Sequence, residues 1–464
     1  KDAIDACLVA YPDFDWARYD QNGDGVLDRV MVVHAGLGEE DSTALLVESG
    51  VGEHAIWSHS WTVWPYYDIG TTGLKIGPYT MMAENGNVGL FAHEFAHNLG
   101  AIDLYAYNPG ETSPGFWTLM ADDWGGGWPQ GAVPPGLDPW HKYLLGWNDP
   151  VVLNTMSPET EVVLGQACNP PEGTEDSLIV NLPSQIEQPV APASGEYMWY
   201  SSRENYLDAK LTLATPLDLS SATSAALTFK TWYDIEEGWD FGFVQVSTDG
   251  GVTWTSLPGT TTTEEHDPDC FFIDELPGYT GFSEGWLDET VDLSAYAGQS
   301  NVLLRFRYRT DPAVLGLGWF LDDIVVSADG TVIFSDDVEA VNGKWMVEEW
   351  TRFDGYFYYP HYYIAEWRNA CGFDAGLVSG RYNIKDFGML LWYRNCKYTD
   401  NEVFMYLADG PAFGPKGACL LVDAHFEPWR STTSSYVNEV ANLHGRIQMR
   451  DAAIGLRDTE PFHV

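Results

Sequence analysis

The sequence predicts a multidomain α+β protein, and three observations lead to that class. The chain has 464 residues, which is too long for a single hydrophobic core. A helical apolar pattern occupies residues 87–99, whereas short alternating apolar segments separated by turn residues dominate from residue 196 onwards. Hydrophobic residues make up 45% of the chain and charged residues 20%, which is the composition of a globular protein.

Acidic residues dominate the charge of this chain. Asp and Glu number 68 against 23 Lys and Arg, so the net charge is −45. Such a charge repels phosphate groups, and we therefore expect neither nucleic acid nor anionic lipid as a partner. No run of 18 apolar residues is present, so no membrane span is expected. The composition fits a secreted, extracellular, calcium-binding protein, and removal of a signal peptide and a pro-segment would leave a start as abrupt as Lys1.

Residues 20–28 have the spacing of an EF-hand-type calcium loop. The predicted ligands at loop positions 1, 3, 5, 7 and 9 are Asp20, Asn22, Asp24, the carbonyl of Val26, and Asp28. Gly25 stands at position 6, where such a loop turns sharply. Position 12 is Met31 rather than Glu, and the apolar run 30–33 predicts a buried strand instead of a second helix. A solvated acidic turn is the alternative, but four spaced oxygen side chains are more than a turn needs.

The segment 93–103 reads HEFAHNLGAID and predicts a zinc site. Residues four apart lie on one face of a helix, so His93 and His97 can bind one zinc ion. Glu94 is placed to act on a water as general base, and Asp103 follows as a third ligand once Gly100 has ended the helix. An ordinary amphipathic helix is the alternative. Apolar residues nearly all round the helix predict burial, however, and buried histidines need partners such as a metal.

Two segments that follow this helix are predicted to belong to the region of the zinc site. Met120 lies in the segment 117–121, before a glycine-rich loop, and metzincins use a Met in a tight turn as the floor of their zinc site. Residues 138–147 predict a second helix, with Pro139 at its start, Gly146 as its C-cap and a structural role for His141.

The six cysteines are compatible with up to three disulfides in an oxidising compartment. None forms a CxxC pair, so a zinc knuckle is not expected, and the sequence does not choose among the 15 pairings.

The pattern from residue 196 to residue 327 predicts an antiparallel sandwich. Strand-like segments at 226–230, 243–247 and 301–306 alternate with turn signals such as the Asp-Gly-Gly sequence at 249–251. Asp322 and Asp323 are either further calcium ligands or turn acids at a strand end. Further strands are predicted at 362–367 and 388–393.

The motifs between residues 20 and 147 resemble, in their order, those of the immune inhibitor A family of secreted bacterial metallopeptidases. The motifs are the acidic glycine loop, IWSH at 56–59, HEFAHNLGAID, WTLM at 117–120 and HKYLLGW at 141–147. The resemblance implies a metzincin-like catalytic domain at residues 1–150, with zinc on His93, His97 and Asp103, Glu94 as base and Met120 in the Met-turn. It also implies calcium on the loop 20–28. Typical metzincins have His as third ligand, and the Asp of this chain is a chemically ordinary substitute.

The remainder of the chain resembles the jelly-roll module and the following β domain of this family. In the family, a strand like SLIVNLP (177–183) normally runs directly into one like YYIAEWR (362–368). We therefore predict a discontinuous β-rich domain at 151–187 plus 345–464, interrupted by an inserted jelly-roll β-sandwich at 188–344.

Together these residues predict a secreted zinc-dependent endopeptidase that hydrolyses peptide bonds in protein or peptide substrates, with Glu94 as general base. One alternative is a non-catalytic extracellular adhesin or glycan-binding protein, in which the jelly roll contacts the glycan. Another is a zinc hydrolase that cuts bonds other than peptide bonds. Glu94 beside both histidines argues against a vestigial site, which would have no need of the base.

Overall fold

The computed structural model describes residues 1–40, 55–106, 114–341, 343–380, 382–402, 416–425 and 448–455. The chain forms two compact units. The first combines Lys1–Gln185 with Tyr359–Val464, and the second is Ile186–Tyr358. Among the described residues, no helix is both long enough and apolar enough to cross a membrane.

Strands predominate in the described residues, as expected for a sheet-rich multidomain protein. The α-helices are α1 (Asp2–Ala10), α2 (Val88–Asn98) and α3 (Pro139–Leu144). The strands up to residue 181 are β1 (Val30–His34), β2 (His59–Asp68), β3 (Lys75–Ala83), β4 (Val151–Asn154) and β5 (Leu178–Asn181). The strands at 185–359 are β6 (Gln185–Glu187), β7 (Met198–Tyr200), β8 (Asp208–Leu213), β9 (Ala225–Ile235), β10 (Phe241–Ser247), β11 (Thr255–Ser256), β12 (Gly281–Phe282), β13 (Leu287–Asp292), β14 (Leu303–Arg309), β15 (Gly318–Ala328), β16 (Thr331–Asp336), β17 (Trp345–Glu348), β18 (Thr351–Phe353) and β19 (Phe357–Tyr359). The last strands are β20 (His361–Trp367), β21 (Met389–Asn395) and β22 (Cys419–Val422).

A three-stranded sheet of order β1-β3-β2 carries helix α2. Strand β3 runs parallel to β1 and antiparallel to β2, and α2 contacts β3 and β2. The prediction of a strand at 30–33 is confirmed, but the prediction that it is buried is wrong. Met31 is 42% exposed and Val33 50% exposed. The reason is that β1 is an edge strand whose side chains alternate between the covered face and an open face.

The second sheet of the first unit combines strands that precede the second unit in the sequence with strands that follow it. Its order is β22-β21-β20-β5-β4, and β5 pairs antiparallel with β20, with Tyr362 opposite Asn181. The core of this unit combines side chains of the segment after α2, such as Trp117 and Met120, with Trp392 of β21. The region after α2 is therefore packed against the C-terminal strands.

One disulfide forms, and it too lies within the first unit. Cys168 and Cys371 are joined, with their Cα atoms 6.2 Å apart. The other four cysteines are free thiols; they are Cys7, Cys270, Cys396 and Cys419.

The second unit consists mainly of two antiparallel sheets around one apolar core. One sheet has the order β11-β10-β14-β8-β17, and the other has β12-β9-β15-β7-β18 with β13 and β16 attached. We predicted the inserted module at 188–344, whereas the unit extends to Tyr358 because β17 and β18 pair with β8 and β7. Asp322 and Asp323 lie inside β15 at a register shift, so the prediction of a strand end was wrong there.

Candidate metal centre

Helix α2 presents its two histidines on one side, and the chain turns back directly after them. The rings of His93 and His97 have centroids 4.9 Å apart and planes at 85°. Gly100 has a φ of +100°, the left-handed conformation predicted for it. The N–H of Gly100 donates to the carbonyl of His97, and the next N–H donates to that of Ala96. This pair of bonds is a Schellman-type C-cap, which reverses the chain toward the helix.

Backbone carbonyls orient both imidazoles. His93 Nδ1 donates to the carbonyl of Leu119 at 3.0 Å, and His97 Nδ1 donates to that of Ala101 at 2.9 Å. A carbonyl oxygen only accepts, so each Nδ1 must carry the hydrogen. In the neutral ring this leaves the lone pair on Nε2, which is then available to a metal.

Asp103 lies where the two Nε2 atoms converge. Its Oδ1 is 3.1 Å from Nε2 of His93 and 3.3 Å from Nε2 of His97. The ligand atoms of the three residues all lie within 4.8 Å of one another. Atoms about 2.0–2.1 Å from a tetrahedral zinc ion are separated by about 3.3 Å, so these distances match a zinc ligand set.

Burial disfavours the charged forms of His93 and Asp103, but the interactions between these side chains favour the charged forms more strongly. Burial lowers the pKa of His93, yet the hydrogen bond with Asp103 and the charge of Asp123 raise that pKa to about 9, so a metal ion would displace the proton from Nε2 on binding. Burial raises the pKa of Asp103, while hydrogen bonds with both histidines hold it well below its usual range. The carboxylates therefore give the site a negative potential that attracts a cation.

Glu94 lies beside the histidines with an unused acceptor. It is 6% exposed, and its buried Oε2 accepts no hydrogen bond from any described residue. Burial raises the pKa of Glu94 to about 7, although the two histidines lower it. The carboxylate lines a cavity of about 300 Å³. The other lining residues are Glu40, Trp57, Leu90, His93, Tyr105, Ala121, Asp122, Asp123 and Trp124. An acceptor placed in this way can take a proton from a water molecule in the cavity.

The segment predicted as a Met-turn supports the site through its backbone. Met120 is fully buried in the core that also holds Ala96 of α2. Its carbonyl accepts the N–H of Leu104 at 2.8 Å, and the preceding carbonyl, of Leu119, accepts His93 Nδ1. The backbone of this turn therefore binds both His93 and Leu104, the residue that follows Asp103.

His141 is structural, as predicted, but the sequence did not show which residues it connects. The fully buried His141 and Asp138 interact through Nδ1 and Oδ2 at 2.7 Å. His141 Nε2 accepts the N–H of Ile102 at 3.1 Å, and Asp138 Oδ2 accepts the hydroxyl of Thr118 at 2.7 Å. This chain of bonds connects the Met-turn segment to the residue before Asp103.

Residues near the C-terminal end of the first unit brace the same region. The buried Tyr382 donates its hydroxyl to the carbonyl of Asp122 and accepts the N–H of Gly125, both at 2.9 Å. Asn401 Nδ2 donates to the carbonyl of Leu104 at 2.9 Å. These partners are 257 to 297 residues apart, so no local pattern could have indicated them.

The predicted calcium loop uses its oxygens in hydrogen bonds within the loop. Asp20 accepts the N–H groups of Gly23, Asp24 and Gly25, and Asp28 accepts that of Gln21. Two clusters of three His, Cys, Asp or Glu with ligand atoms within 4.8 Å occur in the described residues, and neither includes this loop. Calcium on this loop therefore stays a prediction.

Comparison with known proteins defines the class to which this fold and site belong. A family model for the catalytic domain of immune inhibitor A peptidases, M6, matches residues 4–148, which contain the candidate metal centre. The MAM domain of immune inhibitor A-like proteins matches residues 165–355. The VEG domain of immune inhibitor A-like metallopeptidases matches residues 358–464. Together the three matches define a metallopeptidase class.

Individual relatives narrow the class to one family. Immune inhibitor A of Bacillus thuringiensis subsp. alesti is 31% identical over 501 residues, covering 100% of this chain and 68% of that protein. Pre-pro-metalloprotease PrtV of Vibrio cholerae serotype O1 (strain M66-2) is 29% identical over 483 residues, or 96% of this chain. This chain spans 49% of the length of PrtV. Bacillopeptidase F of Bacillus subtilis (strain 168) is 30% identical over 158 residues, which are 33% of this chain and 10% of that protein. The chain belongs to the immune inhibitor A family of metallopeptidases, which confirms the resemblance seen in its motifs.

Proposed function

We propose that this chain is a secreted zinc-dependent endopeptidase that hydrolyses peptide bonds in protein substrates. One observation carries the proposal: two imidazole Nε2 atoms and Oδ1 of Asp103 converge beside the unpartnered Oε2 of Glu94. Membership in a metallopeptidase family supports the same conclusion.

The residues at the centre fit a zinc ion by their chemistry. Two imidazoles and one carboxylate form an ordinary donor set for catalytic zinc, which keeps a further position for water or substrate. Both imidazoles already donate Nδ1–H to backbone carbonyls, the outer-shell contacts that fix metal-binding histidines.

Glu94 is the group of this chain that moves protons in the proposed reaction. Zinc, when bound, supplies a Lewis acid that polarises the scissile carbonyl. Glu94 accepts a proton from the attacking water while the water oxygen bonds to the carbonyl carbon. The same carboxyl group then gives that proton to the amine nitrogen when the C–N bond breaks. Burial of Glu94 keeps bulk water from competing for its oxygen.

The cavity favours cationic or unfolded protein segments as substrates. Glu40, Asp122 and Asp123 line it together with Trp57 and Trp124. Carboxylates attract Lys and Arg side chains, and indole rings pack against apolar groups and cations.

Three accompanying proposals concern architecture, calcium and compartment. Residues 1–150 form a metzincin-like catalytic domain, and an inserted jelly roll, which corresponds to the unit Ile186–Tyr358, interrupts a β domain. The loop 20–28 binds calcium, which is supported by its ligand spacing and by φ of +85° at Gly25. Secretion is supported by the disulfide between Cys168 and Cys371, because such bonds persist in oxidising compartments.

The test combines zinc content with casein hydrolysis for the wild type, Glu94→Gln and the exposed control Glu161→Gln. We expect about one zinc per chain in all three proteins. The wild type and the control cleave casein until a chelator removes the metal, whereas Glu94→Gln loses about 10²–10⁴-fold in kcat.

Two results would contradict the proposal. A wild type that holds zinc but leaves casein and unfolded peptides intact is not an endopeptidase. A wild type that binds no zinc shows that the ligands are assigned wrongly.

A further inference from the structure

Three carboxylates of the second unit meet in space outside the metal centre. Glu236 follows β9, Asp240 precedes β10, and Asp311 lies two residues after β14. Strands β10 and β14 are antiparallel neighbours with Phe241 opposite Arg309, so the start of one lies beside the end of the other. One ligand oxygen of each carboxylate lies within 4.8 Å of those of the other two.

Burial leaves two oxygens of this cluster without hydrogen bonds. Asp240 is 0% exposed and Asp311 is 6% exposed. Asp240 Oδ1 accepts the N–H of Asp311 at 2.7 Å. Asp240 Oδ2 and Glu236 Oε2 are buried and accept no hydrogen bond from any described residue. A buried carboxylate oxygen without a donor destabilises the fold unless another partner, such as a cation, satisfies it.

Other buried carboxylates of the same unit are satisfied by the protein itself. Both oxygens of Glu289 accept backbone N–H groups, and so do both oxygens of Asp322. The fold thus provides donors where a carboxylate is buried for structural reasons. At Asp240 it provides a backbone donor for one oxygen only, and two further carboxylates lie close to this residue.

The charges around Asp240 are negative. Burial, followed by the charges of Asp311 and Glu236, raises the pKa of Asp240 to about 8 despite the hydrogen bond from the N–H of Asp311. Three carboxylates at this spacing are stabilised either by shared protons or by a bound cation.

We propose that Glu236, Asp240 and Asp311 bind a calcium ion. The ligand atoms are all oxygen, and three carboxylates select a hard divalent cation over zinc or copper. Calcium bonds to oxygen at about 2.3–2.6 Å, so its ligands lie up to about 5 Å apart, which covers the limit of 4.8 Å here. Magnesium is less suited to a site made of several protein carboxylates, because it usually keeps several of its waters.

Hydrogen bonds within the protein shape the loop that carries two of the ligands. The N–H of Gly238, whose φ is +78°, donates to Thr280 Oγ1 at 2.9 Å. The hydroxyl of Thr280 donates in turn to the carbonyl of Glu236 at 2.9 Å. The ion would therefore bind a preformed loop and tie it to the segment after β14. We expect calcium to stabilise the second unit, independently of the zinc chemistry proposed for the first.

Equilibrium dialysis of the full chain against calcium tests the site. The proteins are the wild type, Asp240→Asn, Glu236→Gln and the control Asp269→Asn, which alters an exposed aspartate of the same unit. Asp240→Asn is expected to bind one calcium fewer per chain than the wild type, and the control is expected to match the wild type. Glu236→Gln keeps both buried aspartates and tests the site even if Asp240→Asn does not fold. Its affinity at this site should fall at least about tenfold.

Calorimetry gives a second readout on the same proteins. Calcium is expected to raise the unfolding temperature of the wild type and the control more than that of Asp240→Asn. Equal calcium stoichiometry and affinity in all four proteins would overturn the proposal. An Asp240→Asn protein more stable than the wild type in saturating calcium would also overturn it, because the carboxyl group then carries a proton instead of contacting a cation.

Discussion

His141 accepts the backbone N–H of Ile102 on its Nε2 at 3.1 Å, and Ile102 directly precedes Asp103. Because Nδ1 of the same ring lies 2.7 Å from Oδ2 of Asp138, the ring carries its hydrogen on Nδ1. The buried Asp138, which contacts none of the proposed zinc ligands, thus helps to position one of them, Asp103.

Replacing His141 by Phe keeps a ring of similar size but removes the acceptor for Ile102. We expect zinc affinity to fall by about 10–100-fold, the usual effect of losing an outer-shell partner. Competition with a chromogenic chelator measures that affinity, and His266→Phe, at an exposed histidine of the second unit, is the control. Unchanged zinc affinity in His141→Phe would mean that other contacts position Asp103.

Tyr382→Phe should destabilise the segment around Asp122 that lines the cavity. The substitution leaves the N–H of Gly125 and the carbonyl of Asp122 without the hydroxyl that joins them. We expect a loss of about 1–3 kcal/mol in the free energy of unfolding and a higher KM, because Asp122 lines the cavity. Urea unfolding and casein kinetics measure the two effects. The exposed Tyr143→Phe should change neither, and the prediction fails if Tyr382→Phe behaves like it.

Arg368→Met should destabilise the first unit strongly. Arg368 is 1% exposed, and its guanidinium contacts Glu366 at 2.9 Å and also Asp374. Removing it leaves the buried Asp374 without a cation and leaves Glu366 with Lys142 alone, at 3.5 Å, which costs about 3–5 kcal/mol of unfolding free energy. Guanidinium titration measures the change against Arg18→Met, an exposed control. A loss below about 1 kcal/mol would show that water or rearrangement compensates the carboxylates.

Asp24→Asn tests whether the negative charge of the predicted calcium loop matters for binding while the hydrogen bond that shapes the loop is kept. Asn retains an acceptor for the N–H of Val26, which Asp24 Oδ1 accepts at 2.8 Å, and removes one negative charge. We expect calcium affinity to fall about tenfold. Stability without calcium should stay within about 0.5 kcal/mol. Isothermal titration in an Asp240→Asn background isolates the loop, with Asp13→Asn as the exposed control. Equal affinity with and without the substitution would contradict a calcium site here.

The parts of the site that depend on neighbouring residues were predictable. Helix α2, its cap at Gly100 and the alignment of His93 with His97 follow from contacts within two helical turns. Helix α3 likewise begins at Pro139, and Asp138 caps it by accepting the N–H of His141. Each of these features follows from residue spacing and from a backbone preference that the sequence shows directly.

Features that depend on distant partners or on burial were not predictable. Nothing near Tyr382 indicates that its hydroxyl reaches Asp122, 260 residues away. Met31 and Val33 have the residue types of a buried strand, and only the position of β1 at a sheet edge exposes them. Asp240 looks in sequence like any acidic residue after a glycine turn. Only its burial in the folded unit distinguishes it.

The disulfide between Cys168 and Cys371 spans 203 residues and thereby closes a covalent ring that contains the whole second unit. A single cut at any peptide bond from Ile186 to Tyr358 opens this ring without dividing the molecule. The two fragments would still migrate as one species and would separate only after reduction. A chain nicked in its second unit would therefore still carry its C-terminal strands on the same covalent molecule as His93, His97 and Asp103.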